Sequence, residues 1–372
     1  MEYKIIDADE HIIEPPDLWE QWLPRKFQDK APKLVKDEDG GDAWQLGDIV
    51  EPLGLVAVQE TRPRELSWTG VKFDEIDPGL YEPKRRLELM DEDGIDATMI
   101  YPPQRILHYF FGDDDPAFRA AGIEAFNSWM QDYFCAENPK RLGAIAQIPP
   151  LGIEGAIEHL RKAKEKGFRG VSIGNWPSGN DSLTAEDDRF WAVAEEIGIP
   201  VHVHIKLVGG GAKRARVGVK RGGPEQLAGL ATTLSFMPLL IAQTIFHGLF
   251  DRFPKLTFVG AEAGAGWVPY ILGEMDDRYR RNSFWTGVNL KMLPSEYFKR
   301  NWKLGIVRDP YGVQNCQAVG VESILWSSDF PHHINDWPNS RYLINDMSLG
   351  IQAADKRKIF CENAGRLYGF IE

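Results

Sequence analysis

A chain of 372 residues, 43% hydrophobic and 26% charged, has ordinary soluble-globular composition and enough length for one large domain or two. A formal net charge of −12 argues against nucleic acid or an anionic membrane surface as partner, because phosphate contacts need a basic face. There is no apolar run of roughly 18 residues and no basic-then-apolar leader; Cys135, Cys316 and Cys361 form no CxxC pair, so a cytoplasmic protein without a disulfide framework or cysteine metal site is expected.

Along the chain, short β-rich apolar runs alternate with segments of helical periodicity. Strands are predicted at 3–7, 97–102, 143–149, 170–175, 200–205, 256–262, 302–307 and 323–329. Helices are predicted at 82–93, 116–136, 153–166, 184–196, 232–252, 265–282, 309–318 and 353–367. The helix at 184–196 is typical: acidic residues fill its first turn and Gly198-Ile199-Pro200 stops it. Alternating β and α units with buried, non-alternating strands imply a parallel sheet. Eight such units fit an α/β fold, a (β/α)8 TIM barrel formed by one domain over 1–372. A doubly wound sheet is the alternative, but no G-x-G-x-x-G follows the first strand.

Two insertions interrupt the barrel pattern, after strands one and five. Residues 12–81 far exceed the usual βα loop, carry Trp19, Trp22, Trp44 and Trp68, and are expected to cap the site. The tryptophans suit a flat or apolar substrate, or else packing of the cap or a dimer interface. Residues 206–231 hold Gly209-Gly210-Gly211 and the cations Lys206, Lys213, Arg214, Arg216, Lys220 and Arg221, which read as a mobile lid or an anion clamp.

In a barrel, chemistry gathers where the strands end. Those ends carry Asp9 and His11, His202 and His204, Glu262, and Asp329. Asp9 and His11, spaced i, i+2, share one face of a strand and make half of a divalent-metal site. Three of the eight histidines fall at strand ends. His204 is preferred as ligand; His202 reads as a core histidine, a partner orienting a ligand, or a ligand to a second ion. His247 falls inside a predicted helix and reads as packing before chemistry, and His108 follows the second strand, within reach of the pocket.

The segments DADEH (7–11), PVHVH (200–204), FDRFPKLTFVGAEAGAGWVPY (250–270), LWSSDFPHH with DWP (325–338) and KIFCENAGRLYGF (358–370) together resemble the amidohydrolase superfamily. The branch is the one that contains aminocarboxymuconate-semialdehyde decarboxylase and γ-resorcylate decarboxylase beside predicted metal-dependent hydrolases. The resemblance implies a metal-centred barrel with Asp9, His11, His204 and Asp329 as ligands. It implies one divalent ion, zinc foremost, with manganese or iron as alternatives, and a homodimer acting on a small molecule. Where both named decarboxylases place a histidine after the sixth strand, this chain has Glu262.

Glu262 tilts the expectation toward a hydrolase of an amide, ester or lactone-like carbonyl. In that scheme Asp329 takes a proton from metal-activated water, assisted by Glu262, His202 or His247. The alternative is a non-oxidative decarboxylase of an aromatic or enoic acid, in which Asp329 protonates the ring carbon and Arg105, Arg214 or Arg216 anchors the acid. A barrel that binds metal without turnover is the third reading.

Overall fold

The computed structural model describes residues 3–58, 66–208 and 222–372. The strands in chain order are β1 (Ile6–His11), β2 (Lys33–Lys36), β3 (Asp42–Leu46), β4 (Ile49–Pro52), β5 (Ala97–Tyr101) and β6 (Leu142–Gln147). They continue with β7 (Gly170–Ser172), β8 (Val201–His204), β9 (Phe258–Ala261), β10 (Trp302–Ile306) and β11 (Ile324–Trp326). Eight of them form one sheet in the order β1-β5-β6-β7-β8-β9-β10-β11, every pair parallel. The two ends of the sheet meet through Asp329 N donating to Asp9 O (3.0 Å) and His11 N donating to Phe330 O (2.6 Å). Surrounded by helices, this is the expected (β/α)8 barrel.

The strands are buried on both faces, as parallel strands between helices must be. Alternate residues such as Met99, Tyr101, Ile145, Val259 and Leu325 fill one apolar cluster, closed by Ala364 and Tyr368 of the C-terminal helix. Their neighbours Ile100, Val201, Val203, Leu304 and Ile324 pack outward against the helices in the larger cluster. The helix expected at 184–196 runs over Asp188–Ile197 after one tight turn; Thr184 N donates to Asp187 Oδ2 (2.8 Å), and Gly198 adopts φ 62° beyond its end.

Three local departures from the sequence pattern matter. β1 covers Ile6–His11 rather than 3–7, so Asp9 and His11 lie within the strand. The helix expected at 232–252 divides into Thr233–Phe236, Met237–Phe246 and Leu249–Arg252, broken where Gly248 takes φ 67°. Within 12–81, β2, β3 and β4 form a separate antiparallel sheet, and Trp19 and Trp44 are buried in the core cluster shared with the barrel helices. Of 206–231, positions 209–221, with Arg214 and Arg216, lie outside the described residues.

Candidate metal centre

β1 pairs with β5 through a bulge: Asp7 faces Thr98, Glu10 faces Ile100 and His11 faces Tyr101, so three steps on β1 oppose two on β5. The extra residue changes the phase of the strand. Ile6 and Ala8 point into the barrel with Met99; after the bulge Asp9 and His11 do so as well, and Glu10 is turned outward onto Arg86 (3.0 Å). His204 ends β8, Glu262 directly follows β9, and Asp329 lies three residues beyond β11. Glu262 (φ 49°) and Asp329 (φ 60°) hold left-handed backbone, which costs a non-glycine residue of order 1–3 kcal/mol and is retained where a site needs it.

These side chains converge. His11 Nε2 is 3.3 Å from both Asp9 Oδ1 and Asp329 Oδ1 and 3.9 Å from Glu262 Oε1. His204 Nε2 is 3.4 Å from Asp9 Oδ2, 3.3 Å from Glu262 Oε1 and 3.1 Å from His11 Nε2. Asp9, His11, His204 and Glu262 each offer a ligand atom within 4.8 Å of one another, as do His11, Glu262, Asp329 and His332. Asp9, His11 and Asp329 are 1% exposed, whereas His204 and Glu262 open the cluster to one side at 10% and 13%.

The donor set fits a cation. Both oxygens of Asp9 and both of Asp329 are buried among the imidazoles of His11, His204 and His332, an arrangement expensive unless a positive charge sits among them. Burial pushes the His11 imidazole down, but Asp329, Glu262 and Asp9 override it and raise the ring to about 10. His204 is raised for the same reason, Asp9 and Glu262 outweighing burial. At Asp329, burial opposes ionisation, yet His332 and His11 hold the carboxyl well below the usual range. Two imidazole nitrogens 3.1 Å apart inside a ring of carboxylates are what one shared divalent ion would join.

The other candidates separate clearly. His202 shares a face with His204 but lies two residues deeper, is fully buried, and shares a hydrogen bond between Nδ1 and the Tyr101 hydroxyl (2.5 Å). Its Nε2 lies where a Cβ on Gly170 would be 2.5 Å away. Burial and the neighbouring His204 push its pKa down to about 3, so it is a neutral acceptor rather than a proton carrier. His247 is exposed just beyond the helix Met237–Phe246. A barrel helix runs back against its strand, so that end lies on the opposite face from the cluster, and the catalytic role expected for His247 does not hold. Arg105 is not a free anchor either: it is buried and paired with Glu14, Nη2 to Oε2 at 2.5 Å. His108 faces Glu51 (3.3 Å).

Two contributors escaped sequence reasoning. His332 Nδ1 lies 2.9 Å from Asp329 Oδ1, and its ring stacks on His11 at 4.0 Å between centroids. Its i+3 spacing from Asp329 was the available signal. Gln104 meets His204 Nδ1 at 3.1 Å, behind the nitrogen that faces the cluster. Beside His204 opens a small depression lined by Tyr101, Gln104, Leu107, Gln147, Ser172 and Lys206 among others.

Residues 6–370 match the family model described as Amidohydrolase. This chain belongs to the amidohydrolase family. The 2-amino-3-carboxymuconate-6-semialdehyde decarboxylase of Dictyostelium discoideum is 23% identical over 72% of this amidohydrolase and 71% of its own length. An amidohydrolase of Mycobacterium avium subsp. paratuberculosis superposes with a TM-score of 0.76 at 21% identity, covering 100% and 99% of the two chains. The 5-carboxyvanillate decarboxylase of Novosphingobium aromaticivorans, complexed with manganese and 4-hydroxy-3-methoxy-5-nitrobenzoic acid, gives 0.69 at 18% identity over 99% and 96%.

The amidohydrolase is therefore an enzyme rather than an inactive metal-binding barrel. The expectation of hydrolysis is overturned, because the curated relatives are decarboxylases. That expectation rested on Glu262 leaving the site one imidazole short. Another loop brings an imidazole to the same cluster, with His332 Nδ1 3.9 Å from Glu262 Oε1. Among the described residues, no helix is long and apolar enough to cross a membrane.

Proposed function

We propose that this protein is a metal-dependent, non-oxidative decarboxylase of a small aromatic or enoic acid. The observation that carries the reading is the set of buried carboxylate oxygens of Asp9 and Asp329 around the imidazoles of His11 and His204. Asp9, His11, His204 and Asp329 are assigned to one divalent ion. The donors suit zinc, manganese or iron, and the manganese held by the Novosphingobium relative favours manganese over the zinc expected from the sequence. When bound, such an ion supplies a Lewis acid that neutralises and polarises the oxygens of an acid substrate.

The chain's own groups do the rest. The depression beside His204 takes the flat body of the acid, with Leu107, Ile173 and Val208 as apolar walls. Asp329 and His332 hold a proton between atoms 2.9 Å apart and deliver it to the carbon that bears the carboxylate. The carbon–carboxyl bond then breaks, its electron pair returns to the substrate carbon and carbon dioxide leaves. Solvent reprotonates the pair through His332, the more exposed partner at 14%. Glu262, 3.3 Å from His204 Nε2, orients the substrate at the open side.

The insertion 12–81 is assigned as a cap over this face. In support, Val58 N donates to Pro331 O (2.8 Å) and His333 N to Leu55 O (2.9 Å), next to Asp329 and His332. A cytoplasmic homodimer belongs to the same reading, and sedimentation at micromolar protein tests the dimer.

The test pairs elemental analysis with release of carbon dioxide from hydroxybenzoic and amino-enoic acids. In deuterated water the product should carry one deuteron at the vacated carbon. Asp329→Asn should abolish release. A metal-replete wild-type protein that releases no carbon dioxide from the whole panel would refute the reading.

A further inference from the structure

One wall of the depression beside His204 differs from the others in its unused hydrogen-bonding capacity. Gln147 ends β6, Ser172 ends β7, and the two are register partners. Register partners on parallel strands present side chains to the same face, here the barrel interior. Both residues are almost fully buried, at 2% and 4% exposed, and both line the depression.

The two amide protons of Gln147 are already used. Nε2 donates to Ile148 O (3.1 Å) and to Ser172 O (3.0 Å). Two carbonyls on one side fix that end of the amide as nitrogen. Oε1 is left as an oriented acceptor on the wall of the depression, and the Ser172 hydroxyl stands beside it. A ligand that enters strips water from this acceptor, so whatever fills the space is selected for bringing a donor.

We propose that Gln147 Oε1 and Ser172 Oγ read the part of the substrate farthest from the metal cluster and select a hydroxyl or amine there. β6 lies two strands from β8, at most roughly 10 Å, so one end of a small substrate can meet Gln147 while the other meets His204. Ser172 can donate or accept, but Gln147 can only accept. An ether, a second carboxylate or a bare C–H at that position therefore meets an acceptor that it cannot satisfy. The inference rests on the decarboxylase reading for the acid end of the substrate, though not for the donor end.

The test uses the metal-loaded full chain with ring acids matched except for one remote substituent: hydroxyl, amine, methoxy or hydrogen. Dissociation constants come from calorimetry and kcat/KM from carbon dioxide release. Wild type should favour hydroxyl or amine over methoxy or hydrogen by about 10- to 100-fold. Ser172→Ala should narrow the preference, and Gln147→Met should reduce it to within about threefold. Gln147→Met also takes a donor from two backbone carbonyls; Ser172→Ala deletes only a hydroxyl and keeps the test decisive if the first variant does not fold. Equal affinity across the panel in wild type, or full preference in both variants, would overturn the inference. Preference in binding without turnover would sink the decarboxylase reading and leave the subsite. Turnover without preference would do the reverse, and binding of no acid at all would overturn both.

Discussion

Replacing Arg86 by methionine tests how the barrel holds its first two ligands. Arg86, on the helix Pro83–Asp93, is 1% exposed. Its Nη1 donates to Glu10 Oε2 (3.0 Å), its Nη2 to His11 O (2.7 Å) and its Nε to Gly79 O (2.8 Å). The guanidinium also lies 4.8 Å over the Phe330 ring. Breaking a buried pair from one side costs about 3–5 kcal/mol, because the surviving charge has no counterpart. The two orphaned carbonyls fall inside that figure rather than on top of it, since deletions within one network are not additive. Arg86→Met should therefore lose about 3–5 kcal/mol in urea unfolding of metal-free protein, and metal should bind more weakly because the His11 backbone is no longer tied.

The double variant Arg86→Met/Glu10→Gln removes the stranded charge and should recover a substantial part of the loss. pH adds a second signature. Burial already raises the Glu10 carboxyl, and Arg86 is the main group pulling it back. A folded pKa above the unfolded one means stability that is present at low pH and lost as pH rises through the folded value. Arg86→Met should therefore be relatively more stable near pH 5 than near pH 8, and more steeply so than wild type. A loss below about 1 kcal/mol, or Glu10→Gln adding its own full penalty in the Arg86→Met background, would refute the reasoning.

Three further outcomes are expected. Gln104→Leu, which removes the partner of His204 Nδ1, should weaken metal binding by about 10- to 100-fold in a chelator competition; unchanged affinity would show that the amide does not orient the ring. His332→Phe keeps an aromatic ring against His11 but loses the contact to Asp329. It should retain metal and lower kcat by about 10²- to 10⁴-fold, and wild-type kcat would remove His332 from the proton path. His202, held down to about 3 by burial and His204, contributes stability that is full above its ordinary pKa and is lost as pH falls toward about 3. Metal-free wild type should lose up to about 1.4 kcal/mol per pH unit from this group below pH 6.5. His202→Gln should flatten that slope, and an NMR titration of His202 near pH 6.5 would contradict the assignment.

The architecture was legible because each level of the sequence agreed with the next. Eight apolar runs without alternation demand burial on both faces, and helical stretches between them supply the cover. The acids and imidazoles at the ends of those runs were legible for a related reason. Asp9, His11, His204, Glu262 and Asp329 interrupt apolar strands where nothing in a core needs a charge, and the structure brings all five together.

Other features had no local signature. Simple alternation from Ile6 and Ala8 would turn Asp9 and His11 away from the barrel interior, and only pairing with β5 creates the bulge that corrects their aim. His202 and His204 look equivalent along the strand. Depth separates them, since two residues along a strand is roughly 6.6 Å, enough to put one under Tyr101 and the other at the open rim. His247, read within a helix as packing or as a catalytic assistant, lies just beyond the end of the helix Met237–Phe246, and only the barrel's closure shows which face that end occupies. His332 entered from a loop whose path only the closed barrel defines. The sequence by itself determined the barrel, the kind of donors and their strand ends, since these follow from periodicity and side-chain chemistry. The tertiary structure decided which donors meet, which histidine stays neutral and which amide is left open to a ligand, because those depend on distances between strands far apart in the chain.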